Sequence, residues 1–233
     1  AQLRYKPAAP FTLVAGLHAM HFGFNQSSIL EPRAAATYQW NNNNTISLSY
    51  GLHGQVQPLP VYLYERANGS SIDRSNRNLD FSKAHHLVVG YESRWSADGR
   101  IKLAGYYQSL FDIPVEQTAS GFSLLNAGSD FTFPEKAGLV NRGTGSNTGI
   151  EMTLEKFLNK GYYLLATGSV FNSQYKGSDG VERNSSYNYG YAANLLAGAE
   201  WKIGAEKRKA FTFDIRLSTI GGRYATPVDL AAS

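Results

Sequence analysis

The chain has 233 residues, of which 42% are hydrophobic, 13% aromatic and only 17% charged, where roughly 25% charge is usual for a soluble domain. Its net charge of +4 comes from scattered basic residues, not from the patch or stripe that nucleic-acid binding needs, so no nucleic-acid partner is expected. It has no cysteine, which excludes disulfides, thiol catalysis and zinc–thiolate sites and fits an oxidising compartment.

No apolar run approaches the ~20 residues of a membrane-spanning helix. No charged n-region followed by an apolar h-region opens the chain, so no signal peptide is expected. The abrupt start, "AQLRYKPAAP", suits a mature protein or a fragment of one.

Helix-period patterns are nearly absent, and period-two alternation, the signature of strands, dominates. Nine strands are predicted in chain order, at 11–24, 34–40, 45–56, 84–96, 101–112, 147–158, 161–172, 190–203 and 210–219. In the third, Ile46, Leu48, Tyr50 and Leu52 share one face, and Thr45, Ser47, Ser49 and His53 the other. In the fourth, Leu87, Val89 and Tyr91 oppose His86, Glu92 and Arg94. In the fifth, Ile101, Leu103 and Tyr107 oppose Lys102 and Gln108. In the eighth, Leu195, Ala197, Ala199, Trp201 and Ile203 oppose Asn194, Glu200 and Lys202. The ninth sets Phe211, Phe213, Ile215 and Leu217 against Thr212, Asp214, Arg216 and Ser218. Several of these strands exceed the usual 5–6 residues of globular sheets and match the ~9–11 that a tilted transmembrane strand requires.

The connections alternate in length. "NNNN" at 41–44, "ADGR" at 97–100, "NKG" at 159–161 and "GAEKRK" at 204–209 carry the Gly, Asn and Asp of tight hairpins. Long polar loops are predicted at 25–33, 57–83, 113–146 and 173–189. In an up-and-down meander this puts all short turns on one edge and all long loops on the other, the plan of an outer-membrane barrel. A soluble sandwich has no reason to sort its loops so, although Greek-key crossovers imitate part of the pattern. Trp40, Trp95 and Trp201 lie near short turns, and Phe157, Tyr162 and Tyr163 flank another, as an interfacial aromatic girdle would have them.

Residues 149–158, "GIEMTLEKFL", place Glu151 and Glu155 opposite Ile150, Met152 and Leu154. Four residues along a strand is roughly 13 Å. Glycoside hydrolysis needs its carboxyls at roughly 5–9.5 Å, so this pair is expected to line a wet face and not to catalyse. His18 and His21 face opposite sides, His85 and His86 diverge, and His53 stands alone, so no metal site is expected. "GTG" at 143–145 falls in a predicted loop, and "DGVERN" at 179–184 lacks calcium-loop spacing. No nucleophile elbow, phosphate loop or dinucleotide fingerprint is present, so no enzyme, catalytic residue or cofactor is expected. The loops "VYLYERANG" at 61–69 and "FNSQYKGSDGVERNSSYNYGY" at 171–191 mix Tyr, Asn, Arg and Ser, which suits either a polar, sugar-like ligand or plain solvation. The ligand candidates are Tyr64, Arg66, Tyr175, Arg183, Tyr187 and Tyr189.

The stretches "NQSSILEPRAAATYQW", "ISLSYGLHGQVQPLPVY", "GYYQSLFDIPVEQTASGFSLLNAGSDF", "LVNRGTGSNTGIEMTLEKFLNKGYYLLATGSVFNSQYKGSDGVERNSSYNYGYAANLLAGAEW" and "GGRYATPVDL" resemble, in this order, the barrel of TonB-dependent outer-membrane receptors. The nearest group carries a carboxypeptidase-regulatory-like domain ahead of its plug. The resemblance implies a 22-stranded barrel with a plug, and uptake of a scarce nutrient (siderophore, glycan, vitamin or peptide) energised by TonB. It implies outer-membrane lipid, the plug and through it TonB, the ligand and a surface lipoprotein as partners.

On that reading 1–233 is one partial barrel domain, a piece of the C-terminal half and roughly its later middle, without plug, TonB box or final strands. An odd count of nine strands and unpaired sheet edges agree with a piece of a larger barrel. Expected to face the lumen or plug are Glu31, Arg33, Glu92, Arg94, Lys102, Gln108, Glu151, Glu155, Glu200, Lys202, Asp214 and Arg216. Within "EPR", Glu31 and Arg33 are expected to form an ion pair or a plug contact. The rival readings are a stand-alone small outer-membrane barrel or adhesin, and a soluble carbohydrate-binding sheet protein.

Overall fold

The computed structural model describes residues 1–129, 132–206 and 209–224. The strands are β1 (Gln2–Tyr5), β2 (Phe11–Phe22), β3 (Ser27–Gln39), β4 (Asn44–Gln55), β5 (Arg66–Asn68), β6 (Ser71–Asp73), β7 (Ser82–Ser96), β8 (Gly99–Val115), β9 (Val140–Asn159), β10 (Tyr162–Lys176), β11 (Glu182–Asn184), β12 (Tyr191–Ile203) and β13 (Lys209–Ile220). One short helix, α1 (Leu59–Leu63), lies between β4 and β5. Among the described residues no helix is long and apolar enough to cross a membrane, which leaves strands untouched as a means of crossing.

Ten strands form a single antiparallel path, β1-β2-β3-β4-β7-β8-β9-β10-β12-β13, while β11 adds to β10 and β5–β6 form a separate hairpin. The sheet is an open, antiparallel meander. Along this path the predicted count of nine is short by one, because β1 was missed: it is only four residues long and pairs with β2 from Gln2↔Gly16 to Tyr5↔Leu13. The three-residue strands β5, β6 and β11 off the path were missed as well.

One boundary correction concerns the loop predicted at 25–33. The chain turns within 23–26, where Gln26 takes φ 61°, and β3 already begins at Ser27. "EPR" thus lies inside a strand. Pro32 reads as a strand breaker, but its missing N–H is harmless here. The β3–β4 ladder runs only from Arg33↔Gly51 to Gln39↔Thr45, so at Pro32 the strand has β2 alone as a neighbour. The long-loop edge therefore holds one tight turn among its connections. "GTG" likewise lies within β9 and not in a loop, because β8 and β9 extend well past the predicted ends.

The "NKG" turn is a two-residue connection with Lys160 at φ 54° and Gly161 at φ 83°. Two positive φ values are what a primed hairpin turn requires, and glycine supplies the second without strain. The predicted "GAEKRK" turn includes residues outside the described set.

Register turns each strand's alternation into rows across the sheet. Leu48 pairs Val89, Val89 pairs Gly105, Gly105 pairs Ile150 and Ile150 pairs Val170. These side chains are exposed: Leu48 by 49%, Val89 by 51% and Ile150 by 66%. The polar residues between them, Ser47, Ser49, Thr153 and Thr167, are only part-exposed, because the sheet curls and crowds its polar face. The wall is inverted relative to a water-soluble sheet, with its apolar face outside and its polar face in the hollow.

Burial of large apolar residues occurs elsewhere. Val61, Tyr62, Leu79, Ile113, Leu124 and Leu139 form one buried cluster, contributed by the connections 56–81 and 116–139 and the adjoining end of β8. Asn76, fully buried, ties these loops together. Its amide donates to Val61 O (3.0 Å) and Lys136 O (2.7 Å), and its Oδ1 accepts from Leu139 N (3.0 Å). The connections predicted as long polar loops form an ordered cap with its own core.

Candidate functional site

Every candidate for the lumen or plug face lies on the hollow side of the sheet. One row runs Arg94–Arg100–Glu155–Leu165–Leu196–Arg216. The next runs Glu92–Lys102–Thr153–Thr167–Asn194, and the one above it Gly90–Ala104–Glu151–Ser169–Ala192. Glu200 pairs Thr212 and Lys202 pairs Ala210 with the same parity.

Neutralisation is local. Arg94 Nε donates to Glu92 at 3.2 Å, and Arg100 pairs with Glu155 across the strands. Tyr163 Oη donates to Asp214 Oδ1 (2.6 Å) over Gly198, whose lack of a Cβ leaves room for both side chains. Glu151 has no hydrogen-bonded or ion-pair partner among the described residues, whereas Glu155 is committed to Arg100. The two carboxylates share a face but no common partner.

Glu31 is 2% exposed. Its carboxylate accepts from Gly54 N (2.7 Å), His18 Nδ1 (2.9 Å) and Arg33 Nη2 (2.8 Å). Where β3 and β4 separate, this side chain bridges them in place of ladder bonds. His53, expected to stand alone, meets His86 edge to face with ring centroids 6.0 Å apart, because the two strands bring same-face residues together across the sheet. Among the described residues no group of His, Asp or Glu is arranged to hold a metal ion.

At the short-turn edge Trp40, Trp95 and Trp201 all project from the apolar face and are more than half exposed. Tyr162 joins them, with Lys156 Nζ over its ring at 4.7 Å. Phe157 and Tyr163 differ from the girdle expectation. They have hollow-side parity, where Phe157 sits under Arg100 and Tyr163 serves Asp214.

Asp98, in the turn between β7 and β8, gathers Lys156, Ser96 Oγ and Asn159 Nδ2. These donors, Lys156 foremost, hold its carboxyl well below the usual aspartate range. A depressed pKa contributes stability that is complete above the unfolded-state value and is lost as pH falls through the folded one. Asp98→Asn is therefore expected to lower the temperature at which the folded band is lost in gel-shift assays. The gap from the unmutated protein should be constant down to about pH 5 and shrink only below about pH 4. A gap that widens with acid would remove this assignment.

The six ligand candidates fall into two groups on the long-loop edge, and no hydrogen bond or ring contact among the described residues joins the groups. In the first, Tyr64 follows α1 and Arg66 faces Asp73 at 3.7 Å. In the second, Tyr175 is nearly buried and lies opposite Arg183 of β11. Arg183 is fully engaged, with both terminal nitrogens on Asp179 (3.0 and 2.7 Å), and this pairing holds the Asp179 carboxyl low. Tyr187 Oη donates to Ala127 O (2.8 Å), and Tyr189 Oη accepts from Arg223 Nε (2.8 Å). Their polar tips are thus tied within the loop cluster. The Arg223 guanidinium also lies over the Tyr189 ring at 5.6 Å, so of the two only Tyr187 has no cation over its ring among the described residues.

Sequence reasoning missed the row that joins this group to the hollow. His86 Nε2 meets Gln108 Nε2 at 3.1 Å, and Gln108 Oε1 accepts from Asn147 Nδ2 at 2.7 Å. In register, Asn147 pairs Ser173, whose Oγ meets Ser185 Oγ at 2.7 Å. Strand parity alone placed Gln108 here. Asn147 opened a predicted strand next to a predicted loop, which hid its place in the row.

A family model described as "TonB dependent receptor-like, beta-barrel" matches residues 1–232. Among solved structures, that of the FpvAI–pyocin S2 complex is similar, with TM-score 0.62 and 17% identity over 91% of this chain and 26% of that one. The alcaligin outer-membrane receptor FauA from Bordetella pertussis is similar with TM-score 0.59 and 18% identity, over 93% of this chain and 36% of that one. At these identities the likeness is one of fold. The chain spans about a quarter to a third of the length of these structures. Comparison with curated protein sequences finds no match.

Proposed function

The chain belongs to the TonB dependent receptor-like β-barrel family, and from that premise we propose that it forms part of the wall of an outer-membrane receptor for active nutrient uptake. The observation that carries this is the inverted wall: apolar residues outside, charged and amide residues in the hollow, and the large loops on one edge. A bilayer leaves no open edge unpaired, so β1 and β13, each with one neighbour among the described strands, take further strands in a closed barrel.

The wall's part in transport is passive. Its outer face anchors in lipid, and its aromatic residues near the short turns sit at the interface. The hollow-side charges, Glu31, Arg33, Glu92, Arg94, Lys102, Glu151, Glu155, Glu200, Asp214 and Arg216, meet a plug and line the solute path. The cap loops carrying Tyr64, Arg66, Tyr175, Arg183, Tyr187 and Tyr189 meet the ligand. TonB acts through the plug, and a lipoprotein at the cell surface is a further partner. No catalytic step is assigned to any residue. The clean separation of the two faces speaks against a soluble carbohydrate-binding sheet.

The test is fractionation and uptake. Antibody against this chain should find a heat-modifiable band in the outer membrane. Disrupting its gene should abolish uptake of one scarce nutrient, and collapsing the proton gradient should do the same. Recovery of the band in the soluble fraction, or uptake that ignores the gradient, would refute the proposal.

A further inference from the structure

Beneath the loop that carries Tyr187, the hollow side of β7 to β10 forms an open depression of about 440 Å³. Its volume lies within the ~300–1,000 Å³ of small-molecule sites. Its floor is the amide row of His86, Gln108 and Asn147. Aromatic side chains come from Tyr106 and Phe171 on the neighbouring row and from Tyr187 in the loop. No Lys or Arg lines it, and its one formal charge is Glu151.

The chemistry of this lining is selective. Gln108 uses one amide N–H and one Oε1 lone pair on its neighbours, so one donor and one acceptor remain. An acceptor and a donor on one planar amide match two adjacent hydroxyl groups. Glu151, unpaired among the described residues, is an acceptor-only group and takes further hydroxyl protons. The three rings offer flat apolar surface to the C–H face of a sugar ring. An anionic ligand meets the opposite situation, a site with no cation and one like charge, which costs affinity.

We propose that this depression is a subsite for a neutral, polyhydroxylated ligand, a glycan segment, held by Gln108 and Glu151 and stacked on Tyr187, with Asn147 orienting the Gln108 amide. The inference rests on the receptor reading above and names its substrate class. Tyr187 suits the role because its hydroxyl is fixed on Ala127 O, which holds the ring in place. A ring already immobilised loses little entropy when ligand stacks on it.

The experiment uses the intact receptor purified from outer membranes in detergent. It is titrated calorimetrically with a panel of neutral hexose and pentose oligosaccharides, and in parallel with a ferric hydroxamate and an anionic ferric catecholate. At least one neutral oligosaccharide should bind, with little dependence on salt. Gln108→Ala and Tyr187→Ala should each weaken that binding tenfold or more, and the isosteric Glu151→Gln several-fold. Heat-modifiable mobility shows that each variant is folded.

Absence of binding by every neutral oligosaccharide overturns the inference, as does binding of an oligosaccharide that is indifferent to all three substitutions. Tight binding of an anionic ferric complex that is lost in Gln108→Ala also overturns it. In each of these cases gradient-dependent uptake by the unmutated strain leaves the receptor reading standing. Loss of that uptake or of the outer-membrane band is the separate failure of the receptor reading.

Discussion

Val89→Arg is expected to destabilise the folded wall by about 2–4 kcal/mol, the cost of an arginine on the lipid face near the bilayer midplane. Val89 sits mid-strand in β7, with Leu48 on one side and Gly105 on the other, inside the continuous apolar row. Its side chain is exposed by 51%, so no packing in the hollow is disturbed and the cost is one of solvent alone. The assay is urea unfolding of the receptor refolded into vesicles, with the amount assembled in outer membranes as a second readout.

Thr167→Lys is the control. Thr167 lies between Thr153 and Asn194 on the hollow side, where a charge is hydrated, and the expected change is under about 1 kcal/mol. Equal effects at the two positions would mean that the apolar face does not contact lipid, and the membrane reading would fall with them.

Tyr62→Ala is expected to cost about 3–5 kcal/mol, the range for emptying an aromatic site in a packed core. The cost should fall on the cap and not on the wall. Tyr62 is wholly buried among the loop residues, where its ring packs at 5.2 Å from that of Phe22 and its hydroxyl accepts from Gln57 N at 3.2 Å. Hydrogen exchange should accelerate across 56–81 and 116–139, and proteases should cut there, while amides of the wall strands keep their protection. Loss of protection in the wall strands together with the cap would instead show that cap and wall unfold as one unit. Anything the cap recognises should bind more weakly in this variant, because a loop that must first be ordered adds its entropy cost to binding.

Much of the fold was legible in the sequence because the physics of a strand is local. Side chains alternate from one face to the other, so "TISLSYGLH" and "FTFDIRLS" announce an oily and a wet face without reference to any neighbour. Tight turns announce themselves in the same way, through residues that tolerate positive φ, as Lys160 and Gly161 do. Parity also sufficed to put Glu151 and Glu155 on one side and to deny them a shared site.

The errors fall where a local signal was overruled by a neighbour. Pro32 reads as a break, yet it sits beyond the β3–β4 ladder, where its missing donor is not needed. Four residues at 2–5 are too few to show a period, and β2 alone makes them a strand.

What the sequence by itself determined is therefore the period, the two faces, most of the turns and the family. What only the tertiary structure decided is every contact that crosses strands or loops: the His53–His86 meeting, the amide row through Gln108, the burial of Glu31, and the cap core sealed by Asn76. The physical reason is that alternation fixes only which face a residue occupies, whereas register and loop packing fix which residues from distant parts of the chain share that face.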